Sequence, residues 1–305
     1  MFPYALRLWS TVSLFSIGYC SSIQHDVRQV GCTSQSQPNP IASTYPQNAT
    51  GTINGTIAVL PIPLSLARQV IPSKYGILTK AYRTLLPQFP PETYPAIVQA
   101  VQDHDVQASG FSIDDFSRGS IEFPFVDVLD DGYTSFRWAP SLLITSTNVI
   151  AIDGSEAYGT NTFPATFEPS CDAYESVTFP APPGTTFFSA TSVVPGAANL
   201  TILFSTLHTS SSPYPLGFFK NITNQPSFAN GLTCDNMIRL FNTSLSAPPY
   251  PHTHVKGNVR AAIPPFSGEK EWSDVFGIRI DTAFIENNYL SCQSLQGYSG
   301  TGPGD

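Results

Sequence analysis

The chain has 305 residues and carries 14 Lys and Arg residues against 22 Asp and Glu residues. Only 12% of the residues are charged while 41% are hydrophobic, so the chain can bury a sizeable core and is not a disordered protein. The net charge of -8 argues against a nucleic-acid partner, which would need a basic face.

The N-terminus has the layout of a secretory signal peptide. Arg7 precedes an apolar run over residues 8–19, and the small residues Ser21 and Ser22 follow. We therefore expect a signal peptide over residues 1–22 and a protein that is secreted or held in the lumen of the secretory pathway. The run is too short to span a bilayer, so we expect no stable membrane insertion.

Two other features agree with secretion. Removal of Cys20 with the signal peptide leaves an even number of cysteines, which permits two disulfides in any of three connectivities. Five sequons provide acceptors for N-linked glycans. The cysteines are Cys32, Cys171, Cys234 and Cys292, and the sequon asparagines are Asn48, Asn54, Asn199, Asn221 and Asn242.

The mature chain begins with an aperiodic lead-in, rich in Gln, Ser, Pro and Asn, over residues 23–50. Residues 51–305 are predicted to form a single domain with a central pocket. A strand is expected over residues 52–60, followed by a helix from Leu64 to Ile71 that is bounded by Pro63 and Pro72. The apolar face of residues 97, 98 and 101 predicts a second helix over residues 95–102.

The rest of the sequence predicts mainly short strands with many turns, and the 28 prolines and 21 glycines of the chain agree with that prediction. One helix is expected over residues 234–241, because Cys234, Met237, Ile238 and Phe241 form an apolar stripe. The predicted fold class is α+β, with an antiparallel, closed, β-barrel-like sheet and few helices. The predicted strands are residues 120–128, 133–144, 148–152, 187–194, 200–208 and 275–285.

The common catalytic motifs for acyl, phosphoryl and hydride transfer are absent from the sequence. His252 and His254 could place two imidazoles on one face of a strand, but no third ligand lies nearby and three prolines precede them. We interpret them as structural or surface histidines and predict neither a metal nor a cofactor.

Residues 149–167 contain the most informative stretch, in which an apolar segment leads into a glycine-bounded turn. This stretch resembles the signature of the acetoacetate decarboxylase family through Gly154, Glu156 and Gly159, with Tyr158 at an aromatic position. The segment over residues 61–75 is also similar to that family's strand-to-helix opening. The resemblance spans residues 52–290 and implies the family's pocket-bearing fold.

The departures from the family pattern bear on the chemistry. In ungapped register the family's Arg falls on Ser155, its Pro on Asn161 and its Schiff-base Lys on Thr162. Threonine cannot form an imine, so imine-dependent decarboxylation requires another lysine, such as Lys74 or Lys80, to enter the pocket.

Our first hypothesis is a cofactor-independent cyclase that acts on a small hydrophobic substrate of polyketide or terpenoid type. In general character the chain is similar to the secreted hetero-Diels–Alderases of fungal tropolone–sesquiterpene biosynthesis, which join an ortho-quinone methide to a terpene alkene. Candidate catalytic residues, which would polarise a carbonyl or assist loss of water, are Glu156, Tyr158, Asn161, Thr162 and Arg137. Candidate pocket residues, which would orient the substrate and exclude water, are Phe136, Trp138, Phe163 and Phe187.

Two alternatives remain open at this point. One is a lysine-independent decarboxylase or hydrolyase of the same fold, with Glu156 as general acid or base in an apolar environment. The other is a secreted binder of small hydrophobic ligands, in which the same polar groups only orient the ligand.

Overall fold

In the computed structural model, the described residues are 34, 36–178, 180–207 and 212–298. The predicted signal peptide, Cys20 and Cys32 lie outside them. Strands dominate, with 47% strand and 14% helix. The four α-helices are α1 (Leu64–Val70), α2 (Thr79–Leu85), α3 (Val149–Glu156) and α4 (Leu216–Asn224), and a 3-10 helix covers Cys292–Leu295.

The strands form one hydrogen-bonded sheet in which neighbours along the sheet are often distant in the chain. They are β1 (Ala49–Pro63), β2 (Gly76–Ile77), β3 (Thr93–Ala108), β4 (Phe111–Ile113), β5 (Phe116–Asp127), β6 (Phe136–Trp138), β7 (Ser141–Thr145), β8 (Asn161–Glu168), β9 (Glu175–Ser176), β10 (Thr186–Ser192), β11 (Asn199–Thr206), β12 (Ser227–Phe228), β13 (Thr233–Leu240), β14 (Thr253–Ala262) and β15 (Lys270–Ser291).

The sheet closes on itself. Strand order β5-β7-β8-β10-β11-β14-β15-β1-β3 returns to β5 through the β3–β5 pairing, which makes a ring of hydrogen-bonded strands. Most pairs are antiparallel as predicted, but β7 with β8 and β6 with β12 are parallel. The additional β13–β15 pairing places β13 beside the C-terminal part of β15, and both strands contribute to the candidate site.

Several predicted elements are confirmed. The strand over residues 52–60 lies within β1, and the first helix is α1, which ends just before Pro72. The strands predicted over residues 187–194 and 200–208 correspond to β10 and β11, although residue 208 lies outside the described residues. The segment 275–285 lies within β15. Burial alternates along β10 and β11, and prolines bound α1, whereas β1 is buried on both faces.

Two predicted helices are wrong. Residues 95–102 lie in β3 and residues 234–240 form β13. Both strands are buried on both faces, so their apolar residues do not alternate, and the helical spacing of the apolar residues is coincidental.

Two predicted strands also need correction. Residues 149–156, predicted in part as a strand, form α3. Asn148 caps the first turn of this helix, because its side chain accepts a hydrogen bond from the Ala151 amide at 3.0 Å. The strand over residues 133–144 is divided at Ala139 and Pro140 into β6 and β7. The strand expected over residues 120–128 begins earlier, at Phe116, and α2 and α4 were not predicted.

Of the four predicted disulfide cysteines, Cys234 and Cys292 are joined to each other. Cys171 is also disulfide-bonded. The Cys234–Cys292 bond closes a loop with a sequence separation of 58 residues and fixes the end of β15 to β13.

Removing this disulfide should cost considerable stability. The loop-closure entropy of the unfolded chain predicts a loss of about 4 kcal/mol from the free energy of unfolding of the Cys234→Ala/Cys292→Ala double variant. Denaturant unfolding of both proteins under oxidising conditions measures the difference. An unchanged midpoint with an unchanged slope would contradict the expectation.

Candidate functional site

A cavity of about 330 Å³ opens between α3 and strands β3, β5, β6, β7, β12, β13 and β15. Its volume lies in the range of small-molecule sites. Buried or partly buried charged side chains, here called the charged cluster, line one part of it: Asp103, Arg118, Glu122, Arg137, Asp235 and Glu286. Apolar side chains line much of the rest: Val106, Ile113, Phe116, Leu142, Met237 and Phe284.

Strand periodicity places the charged cluster. Alternate residues of β5 from Phe116 to Glu122 line the cavity, because successive side chains of a strand point to opposite faces. The same spacing brings Phe284, Glu286 and Asn288 of β15 to the cavity. This alternation gives one strand face the polar groups of the site and leaves the other face to the core.

Two β-bulges adjust that periodicity at the cavity. In β3 the pairing with β1 shifts near Asp105, which has a left-handed backbone (φ 49°), and the lining changes from Asp103 to Val106 and Ala108. In β15 a second shift places Asn288 and Tyr289 together opposite Asp235. Bulges of this kind redirect side chains at functional sites.

Two ion pairs neutralise part of the charged cluster. Arg118 contacts Asp103 through two nitrogens, at 2.6 and 3.2 Å. The Arg137 Nε lies 2.6 Å from Glu122 Oε2, and Ser120 donates to the other carboxylate oxygen. Burial would raise the pKa of Glu122, but Arg137 and Ser120 outweigh it and hold this pKa below its usual range.

The remaining carboxyls of the charged cluster, Asp235 and Glu286, form a hydrogen-bonded pair. Burial, reinforced by Glu286, raises the pKa of Asp235 well above its usual range. Burial also raises the pKa of Glu286 to about 7, against the attraction of Arg118. At neutral pH these shifts favour one proton on the pair, with Asp235 protonated and hydrogen-bonded to Glu286.

The surrounding charges agree with one shared proton. Arg239 is fully buried beside the cluster, and its Nη2 donates to Gln99. Burial, followed by repulsion from Arg118 and Arg137, lowers the pKa of Arg239 to about 9, so it is still a cation at neutral pH. The three arginines, Arg118, Arg137 and Arg239, then carry three positive charges. These balance the negative charges of Asp103 and Glu122 and a single negative charge on the Asp235–Glu286 pair.

Two of the five candidate catalytic residues line the cavity, namely Arg137 and Tyr158. Glu156 ends α3 as an exposed residue and accepts a hydrogen bond from the Thr162 hydroxyl. Asn161 is also exposed, and Glu156, Asn161 and Thr162 are not part of the cavity lining. The position that matches the family's Schiff-base lysine is therefore outside the cavity.

The four candidate pocket aromatics lie elsewhere. Phe136 is fully buried and packs edge-on against Phe228, while Trp138 packs against Phe123. Phe163 contacts the core from a partly buried position, and Phe187 is half-buried in β10. None of the four lines the described cavity. In β6 the side chain of Arg137 lines the cavity, while Phe136 and Trp138 on either side of it belong to the hydrophobic core.

All five lysines of the chain lie within the described residues, and none of them lines the cavity. Lys74 lies 4.7 Å from the centre of the Tyr75 ring, and Lys256 pairs with Asp274 at 2.7 Å. The described cavity thus provides carboxyl and guanidinium groups, without an amine that could form an imine with a substrate.

Asn242 is exposed, and the other four sequon asparagines are partly buried. The rings of His252 and His254 are 5.0 Å apart, and within the described ranges no group of three potential ligands could hold a metal ion. In the part of the chain that the structure covers, none of the helices has both the length and the apolar character needed to cross a membrane.

No family model and no curated protein matches the chain. Among solved structures, it is similar to the enduracididine biosynthesis enzyme MppR complexed with pyruvate, with a TM-score of 0.46 and 7% identity over 85% of this chain and 93% of that chain. It is also similar to an acetoacetate decarboxylase-like enzyme from Sphingomonas wittichii RW1, with a TM-score of 0.43 and 7% identity over 86% of this chain and 99% of that chain.

Proposed function

We propose that the chain is a cofactor-independent lyase and cyclase that removes water from a small hydroxylated precursor and then closes a ring in the same cavity. The observation that carries the proposal is the hydrogen-bonded Asp235–Glu286 pair, which lines the cavity and in which burial raises the pKa of both carboxyls. Such a pair contains a proton donor and a proton acceptor side by side.

Loss of water from an ortho-hydroxybenzyl alcohol uses both functions. The protonated Asp235 gives its proton to the alcohol oxygen, the carbon–oxygen bond breaks and water leaves. The ionised Glu286 takes the phenolic proton, so the electron pair of that bond completes an ortho-quinone methide. The pair again holds one proton at the end of the step, and no oxidant or reductant is consumed.

The second step is a hetero-Diels–Alder addition of an alkene to the quinone methide. It forms one carbon–carbon and one carbon–oxygen bond without transfer of a proton. The apolar lining, with Phe116, Leu142 and Phe284 among its members, would hold the alkene against the quinone methide and keep water away from it. Orientation and exclusion of water are the contributions expected from such a wall.

The test is to incubate purified protein with an ortho-hydroxybenzyl alcohol and a cyclic terpene, and to analyse the products by chiral chromatography with mass spectrometry. We expect faster loss of water than in buffer and one predominant stereoisomer of the adduct. Racemic product at the uncatalysed rate would overturn the proposal. Carbon dioxide release from a β-keto acid in its place would favour the lysine-independent decarboxylase, and tight binding of unchanged ligand would favour a binding protein.

We also propose that the protein is secreted and glycosylated. The Cys234–Cys292 disulfide supports an oxidising compartment. Mass spectrometry of protein recovered from the culture medium, before and after removal of N-linked glycans, tests both points. An intact N-terminus or an unchanged mass would contradict the corresponding part.

A further inference from the structure

Tyr289 lines the cavity with an exposed aromatic ring and has an unfavourable backbone conformation. Tyr289 has a left-handed backbone (φ 59°), although it is neither glycine nor asparagine, and its side chain remains 62% exposed. Bulky residues avoid this region of backbone space, and so exposed a ring gains little from burial. Burial of the ring therefore offsets little of this backbone strain, and strained residues of this kind cluster at ligand-binding sites.

The ring of Tyr289 packs against a second aromatic ring. It stacks on the ring of Tyr158, with centroids 5.9 Å apart and an angle of 23° between the planes. Tyr158 is almost fully buried, and its hydroxyl donates a hydrogen bond to Asn288 Oδ1. Burial raises the pKa of Tyr158, so this hydroxyl stays neutral and remains a donor. Both tyrosines line the cavity.

The stacked rings are linked to the acid pair. Asn288 immediately precedes Tyr289 and also hydrogen-bonds to Glu286. The bulge that redirects Tyr289 places Asn288 and Tyr289 opposite Asp235. One short segment of β15 therefore fixes both the orientation of the ring and the carboxyl that exchanges the proton. Ile150 of α3, which is 63% exposed, is an apolar member of the same cavity lining.

We propose that Tyr289, stacked on Tyr158, is a binding platform for a flat, conjugated ring, and that it selects such substrates over saturated ones of the same size. A flat ring can stack over its full area on tyrosine, while a puckered saturated ring cannot. This inference rests on the proposed function because it assigns the substrate class of the same cavity, but its test measures binding and not turnover.

The test uses two probes with the same ten-carbon skeleton and a single hydroxyl, 2-naphthol and trans-decahydro-2-naphthol. Isothermal titration calorimetry gives the affinity of each for the wild-type protein and for Tyr289→Phe and Tyr289→Leu. We expect the wild type to prefer 2-naphthol about five- to tenfold, in keeping with the usual strength of aromatic stacking. Tyr289→Phe should keep the preference, and Tyr289→Leu should lose it by weakening the binding of 2-naphthol alone.

Tyr133→Leu is the matched control, because Tyr133 is 66% exposed but does not line the cavity. It should bind both probes as the wild type does. Absence of 2-naphthol binding to the wild type, an unchanged preference in Tyr289→Leu, or equal weakening of both probes would each overturn the platform. Tyr289-dependent binding without any loss of water from the hydroxybenzyl alcohol would overturn the proposed function and leave the platform standing.

Discussion

Asp235→Asn is expected to lower the rate of water loss by about 10²–10⁴-fold, the range in which general acid catalysis contributes. Asparagine has nearly the shape of a protonated aspartic acid and can still donate a hydrogen bond to Glu286. The variant therefore keeps the charge and the contacts of the native pair and loses only the transferable proton. Turnover of the ortho-hydroxybenzyl alcohol and thermal unfolding, both measured at pH 7, separate these two consequences.

The pH dependence of protein stability provides a second test of the same pair. The folded pKa of Glu286, about 7, lies above the ordinary carboxyl value, so the folded protein holds the proton more strongly than the unfolded chain. The contribution of this group to stability is full below about pH 4.5 and disappears as the pH rises through about 7. Glu286→Gln should flatten that part of the stability profile.

Glu156→Gln is the control for both measurements, because Glu156 is an exposed carboxylate outside the cavity whose side chain bonds to Thr162. It should retain wild-type turnover and the wild-type stability profile. Wild-type turnover in Asp235→Asn would show that Asp235 is not the acid. If Asp235→Asn loses turnover only because it is no longer folded under the assay conditions, Asp235 has a purely structural role.

Elements whose two faces have different environments are among those that the sequence predicts correctly. Helix α1 shows an apolar stripe between two prolines, and the hairpin of β10 and β11 surrounds the Pro195-Gly196 turn. Strands β3 and β13 are different because the closed sheet buries both of their faces. Their environment is set by strands far away in the chain, so no local period records it.

The acid pair could not be predicted for a related reason. Asp235 and Glu286 are distant in the chain and meet only through the pairing of β13 with β15 and its bulge. A weaker signal was present in β5, where Arg118, Ser120 and Glu122 alternate with small or apolar residues. Charged residues at alternate strand positions are a useful indication of a polar cavity in a chain with only 12% charge.

The capping role of Asn148 also decides how the motif around Glu156 is interpreted. Without recognition of the cap, the apolar residues 149–152 read as a strand, and the following glycines read as a turn that presents Glu156 to a pocket. With the cap, the segment is helix α3, and Glu156 comes at its exposed end. The cap therefore indicates a helix that ends at Glu156, and not a strand followed by a turn.

Arg137→Leu is expected to lower the free energy of unfolding by about 3–5 kcal/mol at pH 7, because it leaves Glu122 as a buried charge without its guanidinium partner. The backbone carbonyls of Ile222 and Thr223 also lose the donor that Arg137 provides. Denaturant unfolding of the variant and of Glu122→Gln/Arg137→Leu measures the cost. The double variant should recover part of it, since it removes the unpaired charge.

Arg260→Leu provides the matched control, since Arg260 pairs with Glu269 at the same 2.6 Å but at the exposed surface. Water already solvates both of these groups, so this variant should show no measurable loss. In the wild type the depressed pKa of Glu122 gives a contribution to stability that is present above about pH 4.5 and is lost at lower pH. Glu122 takes up a proton more readily when Arg137 is absent. The loss of unfolding free energy caused by Arg137→Leu should therefore become smaller towards pH 4. A loss that does not depend on pH would mean that lost packing causes the destabilisation.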